Sequence, residues 1–229
     1  MTTAVFVCLH GVILVAQFVF GNPRFLRLRF FFDLNREMNL PTLFSTLQLV
    51  LASALLAGVF VDARRTKARG AFYWAGLALV FAFLAGDEFC AWHERLIGPM
   101  QRALHAGGAL SFTWVVPYSA LVVLFVIAYL RFWWRLPPRT RRLFAVAGVL
   151  YVGGALVLEM VGAKLFRVYG WESLQFELEV MVEEAMEMSG VALFVYAILC
   201  YLGERIGTIE IDLRPPDSSI SSTSRNATY

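Results

Sequence analysis

The sequence predicts an all-α membrane protein, a single bundle of about six transmembrane helices. Three observations carry this reading. The 229 residues are 59% hydrophobic and 16% charged, whereas a soluble domain is about half apolar and a quarter charged. The mean hydropathy is +0.65. The apolar residues also lie in blocks that approach or exceed the ~20 residues a bilayer span requires.

Six blocks qualify, at residues 4–20, 41–61, 71–90, 110–129, 143–161 and 180–202. Backbone that faces lipid must satisfy its own hydrogen bonds, so these spans are expected to be helices. They occupy one domain, residues 1–205. The first block is the shortest. Met1-Thr2-Thr3 offers no basic n-region and no small-x-small cleavage site follows, so the block reads as a retained helix. Between Gly21 and Leu40, Asn22-Pro23 looks like a helix start. There Arg24, Phe25, Arg27 and Phe30 to Phe32 predict a segment lying in the interface, with arginines toward headgroups. Pro41 then opens the second span, in the first turn of a helix. Trp133 and Trp134 fit an aromatic belt. Residues 206–229 turn Pro-, Ser- and Thr-rich and read as a disordered cytoplasmic tail. On such a tail the sequon Asn226-Ala-Thr carries little weight.

Cys8, Cys90 and Cys200 lie in or at the ends of spans without a CxxC pair and read as packing residues. The net charge of +3 does not point to nucleic acid, because the basic residues flank the spans. With both termini cytoplasmic, the inner loops and tail hold Arg64, Arg65, Lys67, Arg69, Arg131, Arg135, Arg139, Arg141, Arg142, Arg205, Arg214 and Arg225. That is the larger share of the 20 basic residues, and the positive-inside rule selects this orientation. Arg24, Arg27, Arg29 and Arg36 run against it.

Carboxylates inside spans are rare and costly unless paired. The third span ends in DEFCAWHE, giving Asp87, Glu88, His93 and Glu94; the fifth contains Glu159; the sixth begins FELEVMVEEAMEM, giving Glu177, Glu179, Glu183, Glu184 and Glu187. Gly70 to Asp87, Arg142 to Glu159 and Glu187 to Glu204 are each 17 residues. At 1.5 Å per residue each acid then lies ~25 Å from the inner boundary, near the outer edge of a ~30 Å hydrocarbon core. Gln48 falls at the same depth. Helical spacing places Asp87, Cys90, Ala91 and Glu94 on one face and Glu179, Glu183 and Glu187 on one stripe. Ala155 and Gly162 flank Glu159 with small residues that admit a neighbour. The third, fifth and sixth spans are therefore expected to pack around one acidic layer.

Three readings of the layer are open. The first is a divalent metal, iron, manganese, zinc or calcium, held by Asp87, Glu88, His93, Glu94, Glu159, Glu183, Glu184 and Glu187. Oxygen-rich ligands with one imidazole suit these ions. No Glu-x-x-His repeat and no HExxH motif is present, so no catalytic residue is assigned. The second is a proton or cation pathway, for which the spans below the layer offer no polar track. The third is a structural network in which Arg95, Arg102, Lys164 and Arg167 pair with the acids. Glu172, Glu177 and Glu179 read as facing water, and His10 as a hydrogen-bonded packing residue. His105 falls in an Ala-Gly loop. Met181, Met186 and Met188 read as core, and Gly153 and Gly154 as helix contacts. The metal site is the leading expectation. Expected partners are membrane lipids, a second copy of the chain or other subunits of a membrane complex.

The segments FFDLNREMNLPTLFS, DEFCAWHE, YVGGALVLEMVG and EEAMEM, in this order, resemble a set of uncharacterised bacterial multi-span inner-membrane proteins. The resemblance covers roughly residues 30 to 200. It implies a bacterial inner-membrane protein and carries over no activity.

Overall fold

The computed structural model describes residues 2–21, 26–36, 38–104 and 112–206. Among them the chain forms helices without a strand: α1 (Thr2–Phe18), α2 (Leu26–Phe32), α3 (Leu40–Arg65), α4 (Ala71–Cys90), α5 (Trp92–Leu104), α6 (Val115–Trp134), α7 (Pro138–Val152), a π-helical segment (Gly153–Leu158), α8 (Glu159–Tyr169) and α9 (Leu174–Ile206). Arg24, Phe25, His105 and the tail beyond Ile206 lie outside the described residues. Five helices are long and apolar enough to cross a membrane: α3, α4, α6, the continuous rod from Pro138 to Tyr169, and α9. The apolar α1 is shorter, at 17 residues. Leu79 on α4, Ile127 on α6 and Val149 on α7 are about 70% exposed, at 71%, 68% and 70%. Large outward-facing side chains of this kind on several long helices are what lipid contact requires. The chain is an all-α membrane protein.

Local sequence sets the helix ends. Asn39 caps α3, its Oδ1 accepting the Thr42 N–H at 3.1 Å, and Pro41 sits in the first turn where its missing N–H costs nothing. The acidic stretch after α4 does not continue as one helix. Ala91 adopts the left-handed conformation with φ of 48°, ending α4 at Cys90 and starting α5 at Trp92. The single face expected for Asp87, Cys90, Ala91 and Glu94 therefore does not form. Asp87 instead turns back on the chain, and its Oδ1 accepts the His93 N–H at 2.9 Å. A carboxylate at a helix N-terminus satisfies an orphan donor and complements the helix dipole.

The core joins Leu56 and Val59 of α3, Trp74 and Leu77 of α4, Phe132 of α6, Ala147 of α7 and Phe194 and Ile198 of α9. The backbones of α7 and α9 touch at Gly190. A Cβ there would lie 2.8 Å from the Tyr151 nitrogen and 2.9 Å from the Ala147 oxygen. Small residues allow such an approach, and dispersion over the contact then holds the helices together. The basic ends of α3, α7 and α9 are also tied. Arg205 reaches Asp62 and donates to Thr66 Oγ1 at 2.8 Å, and Arg139 donates to Tyr196 at 3.2 Å. Above this end Leu49, Ala85 and Val191 form an apolar layer. The acidic residues of α4 and α9 begin immediately beyond it.

Candidate functional site

The π-helical segment positions one wall of the site. A π turn adds a residue and widens the helix locally, a feature frequent at functional sites. It ends at Leu158, so Glu159 is the first residue after the widening. Gly154 lets α9 pass at contact distance. A Cβ there would meet Glu187 Cγ at 2.8 Å and the Glu183 carbonyl oxygen at 3.0 Å, which makes Gly154 a helix contact.

A cavity of about 570 Å³ opens between α4, α5, α6, the rod and α9. All eight sequence-derived candidates line it: Asp87, Glu88, His93, Glu94, Glu159, Glu183, Glu184 and Glu187. They differ in depth. Asp87 and Glu183 are buried, whereas Glu94 is exposed. Asp87 is the most fixed. Besides the His93 N–H it accepts Tyr118 Oη at 3.1 Å, and its Oδ2 lies 3.3 Å from His93 Nδ1. Glu159 accepts Trp114 Nε1 at 3.0 Å. Gln48, expected at the same depth, is not among the lining residues, and its Oε1 is buried without a hydrogen-bond partner among the described residues.

A second polar group lies outside this cavity, in the corner between α1, α2 and α9. His10, Asp33 and Glu177 are 0%, 1% and 0% exposed. Arg29 links Asp33 and Glu177: Nε donates to Asp33 Oδ2 at 2.7 Å, Nη1 to Gln17 Oε1 at 2.9 Å, and Nη2 to Glu177 Oε1. His10 Nδ1 accepts the Leu34 N–H at 3.2 Å. A neutral ring then carries its proton on Nε2, which faces Glu177 Oε2 at 3.6 Å. Burial pulls the Arg29 guanidinium down, but the Asp33 and Glu177 carboxylates more than offset this and its pKa is raised. His10, Asp33 and Glu177 bring three ligating atoms within 4.8 Å of one another, a spacing that could hold a metal ion.

Glu177 and Glu179 therefore do not face water as expected; both are buried, while Glu172 is exposed. The physical reason is that α9 begins at Leu174, before the apolar block at 180, and α1 and α8 pack on its first turns. Both oxygens of Glu179 lack a hydrogen-bond partner among the described residues, and a Cβ on Gly162 would lie 2.5 Å from Oε2. Sequence reasoning left Arg29, Asp33 and Glu177 out of the site. The i, i+4 spacing of Arg29 and Asp33 was the available signal; the pairing of Arg29 with a residue 148 positions away was not legible.

Fold and site together define a class: a helical membrane bundle with an acid-lined cavity toward one end and arginine-rich helix ends at the other. Within that class the chain belongs to the family described as Domain of unknown function (DUF8692), whose model matches residues 2–201. No curated protein and no solved structure matches the chain.

Proposed function

We propose that this protein binds a divalent cation in the acid-lined cavity, in a bacterial inner membrane that it crosses six times with both termini cytoplasmic. One observation carries the cation reading: seven carboxyl groups from α4, α5, α8 and α9 line a single cavity that Arg36 alone among its lining residues supplies with a permanent positive charge. So many carboxylates in one space require protons, bases or a cation. The carboxylates surround hundreds of cubic ångströms rather than a point, which suits an ion held partly through water. Magnesium, calcium and manganese sites commonly have this oxygen-rich, hydrated character. A bound ion would activate water or polarise an oxygen for a membrane-embedded reaction. The orientation rests on the positive-inside count. Arg29, one of the four residues that opposed it, is neutralised by Asp33 and Glu177.

A transport role is disfavoured by Leu49, Ala85 and Val191, which close the side of the cavity toward the basic end with apolar packing. A structural role as an accessory subunit is favoured by the Arg29 network, where an arginine already supplies the cation that Asp33 and Glu177 need.

Metal analysis of the detergent-purified protein tests the proposal, alongside Glu159→Gln, Glu187→Gln and His10→Ala. Stoichiometric metal that Glu159→Gln and Glu187→Gln remove and His10→Ala leaves in place is the expected result. Metal lost only in His10→Ala would move the site to the α1 corner. A metal-free parent that does not take up ions and is unaffected by chelator overturns the reading.

A further inference from the structure

The basic end of the bundle holds a second cavity, of about 390 Å³, where the α3–α4 turn, the α6–α7 turn and the end of α9 meet. Each of these segments contributes one arginine to its lining: Arg69, Arg135 and Arg205. Arg205 is already engaged by Asp62, Thr66 and Tyr201. The lining also contains one acid, Glu204, which lies 3.5 Å from Arg139. These two ion pairs, Arg205 with Asp62 and Arg139 with Glu204, leave Arg69 and Arg135 without a carboxylate partner among the described residues. The cavity therefore carries two uncompensated positive charges.

Exposed arginines are ordinary at a membrane boundary. This cavity adds donors that such arginines do not need. Trp74 of α4 lines it and is only 4% exposed. Phe132 at 5.0 Å and Tyr201 at 4.9 Å hold the indole and cover its ring. Its N–H nonetheless donates to no group among the described residues, and the nitrogen keeps some accessible surface. A nearly buried donor left unpaired is costly, so it marks a place where an acceptor from outside the chain is expected. Tyr201 Oη accepts Arg205 Nη1 at 3.3 Å, which leaves the hydroxyl hydrogen to donate. Two helix starts add to this. Gly70, with φ of 85°, precedes α4, and Pro137 precedes α7; both line the cavity, and no side chain caps either helix. Uncapped starts leave backbone N–H groups and the positive end of the helix dipole to an anion.

An oxyanion matches this set, because a phosphate accepts several N–H donors at once and fits the fork of an arginine. The location selects the source. Helix α4 begins here and α6 and α9 end here, all three long and apolar enough to cross a membrane, so the phosphates at this level are those of lipid headgroups. We propose that this cavity binds the phosphate of an anionic phospholipid between Arg69 and Arg135, with the Trp74 N–H as its buried donor. A zwitterionic lipid is disfavoured, because its ammonium group meets the two unpaired guanidinium groups. This goes beyond the divalent-cation reading and does not depend on it, since the two cavities lie at opposite ends of the bundle and share no residue.

The test uses the full-length protein, delipidated in a neutral detergent. Short-chain phosphatidylglycerol, short-chain phosphatidylcholine and inorganic phosphate each compete against a fluorescent phosphatidylglycerol. Saturable displacement by phosphatidylglycerol is expected, with the other two at least about 10-fold weaker. Arg69→Gln combined with Arg135→Gln should weaken phosphatidylglycerol by about 30-fold, at ~5-fold for each arginine. Both residues are exposed, so this variant is expected to fold. Arg65→Gln combined with Arg131→Gln removes the same charge from the same end, but neither residue lines the cavity, and this pair should leave binding unchanged. Trp74→Phe keeps a ring, removes the donor and should weaken binding by about 3- to 10-fold. Equal binding of phosphatidylcholine, or an equal loss in the two arginine pairs, overturns the proposal by showing that the whole basic end attracts lipid without a site. Inorganic phosphate competing as well as the lipid overturns the lipid as occupant, and an unchanged Trp74→Phe overturns the part given to the indole.

Discussion

Replacing Arg29 by methionine would leave Asp33 and Glu177, at 1% and 0% exposure, without the cation that pairs with both. Methionine keeps most of the aliphatic stem, so the loss is chiefly electrostatic. Removing one partner of a buried ion pair costs roughly 3 to 5 kcal/mol, because an uncompensated charge stays behind. Arg29 serves two carboxylates and Gln17, which places the expectation toward the upper end. It lies only partly buried, at 16% side-chain exposure, and solvent screening pulls the figure back down; about 3 kcal/mol is the working value. Unfolding in mixed micelles of increasing SDS fraction, followed by far-UV circular dichroism, measures this directly. A thermal melt in detergent should fall by roughly 6 to 12 °C, at about 2 to 4 °C per kcal/mol for a chain of this size. The charge argument also makes a second-site claim. Adding Glu177→Gln to Arg29→Met should recover at least about 1 kcal/mol, since it removes one stranded carboxylate. A single variant that loses less than about 1 kcal/mol, or a double variant no more stable than the single, would refute the view that this corner is held by charge.

Other expectations follow from single contacts. Gly190→Ala drives a methyl into the α7 backbone and should destabilise the protein by about 1 to 3 kcal/mol, read from the same SDS titration; a silent substitution would show that α7 and α9 do not touch there. Ala91 has a φ of 48°, so Ala91→Gly should be neutral or stabilising by up to about 1 kcal/mol, whereas a β-branched valine should destabilise; the reverse order in a thermal melt would contradict the left-handed turn. Ser53 Oγ donates to the Ala78 carbonyl at 2.8 Å between α3 and α4, and Ser53→Ala is expected to cost about 0.6 kcal/mol, typical of hydrogen bonds between membrane helices. A cost above about 2 kcal/mol would mean that the serine does more than this one bond. Trp114→Phe keeps a ring but not the donor to Glu159. It should redden or blue-shift the tryptophan emission when Glu159 is then changed to Gln far less than the same change does in the parent. Equal responses would show that the indole does not report on Glu159.

Hydropathy alone determined that this chain is a helical membrane protein, because a bilayer accepts few kinds of backbone and demands long apolar runs from each. Counting residues along the helices put Asp87, Glu159 and Glu187 at one expected depth, since rise per residue converts sequence position into depth. All three line the cavity together with the other five candidates. What spacing could not decide is azimuth and partnership. The left-handed Ala91 re-aims His93 and Glu94, and the π turn precedes Glu159, so an unbroken 3.6-residue period misplaces residues beyond them. The burial of Glu177 and Glu179 depends on where α1 and α8 lie, which no pattern within α9 records. The Arg29–Glu177 pair depends in the same way on segments that are distant in sequence. Only tertiary packing brings these together, because a long-range contact is a property of two segments at once and leaves no periodic trace in either.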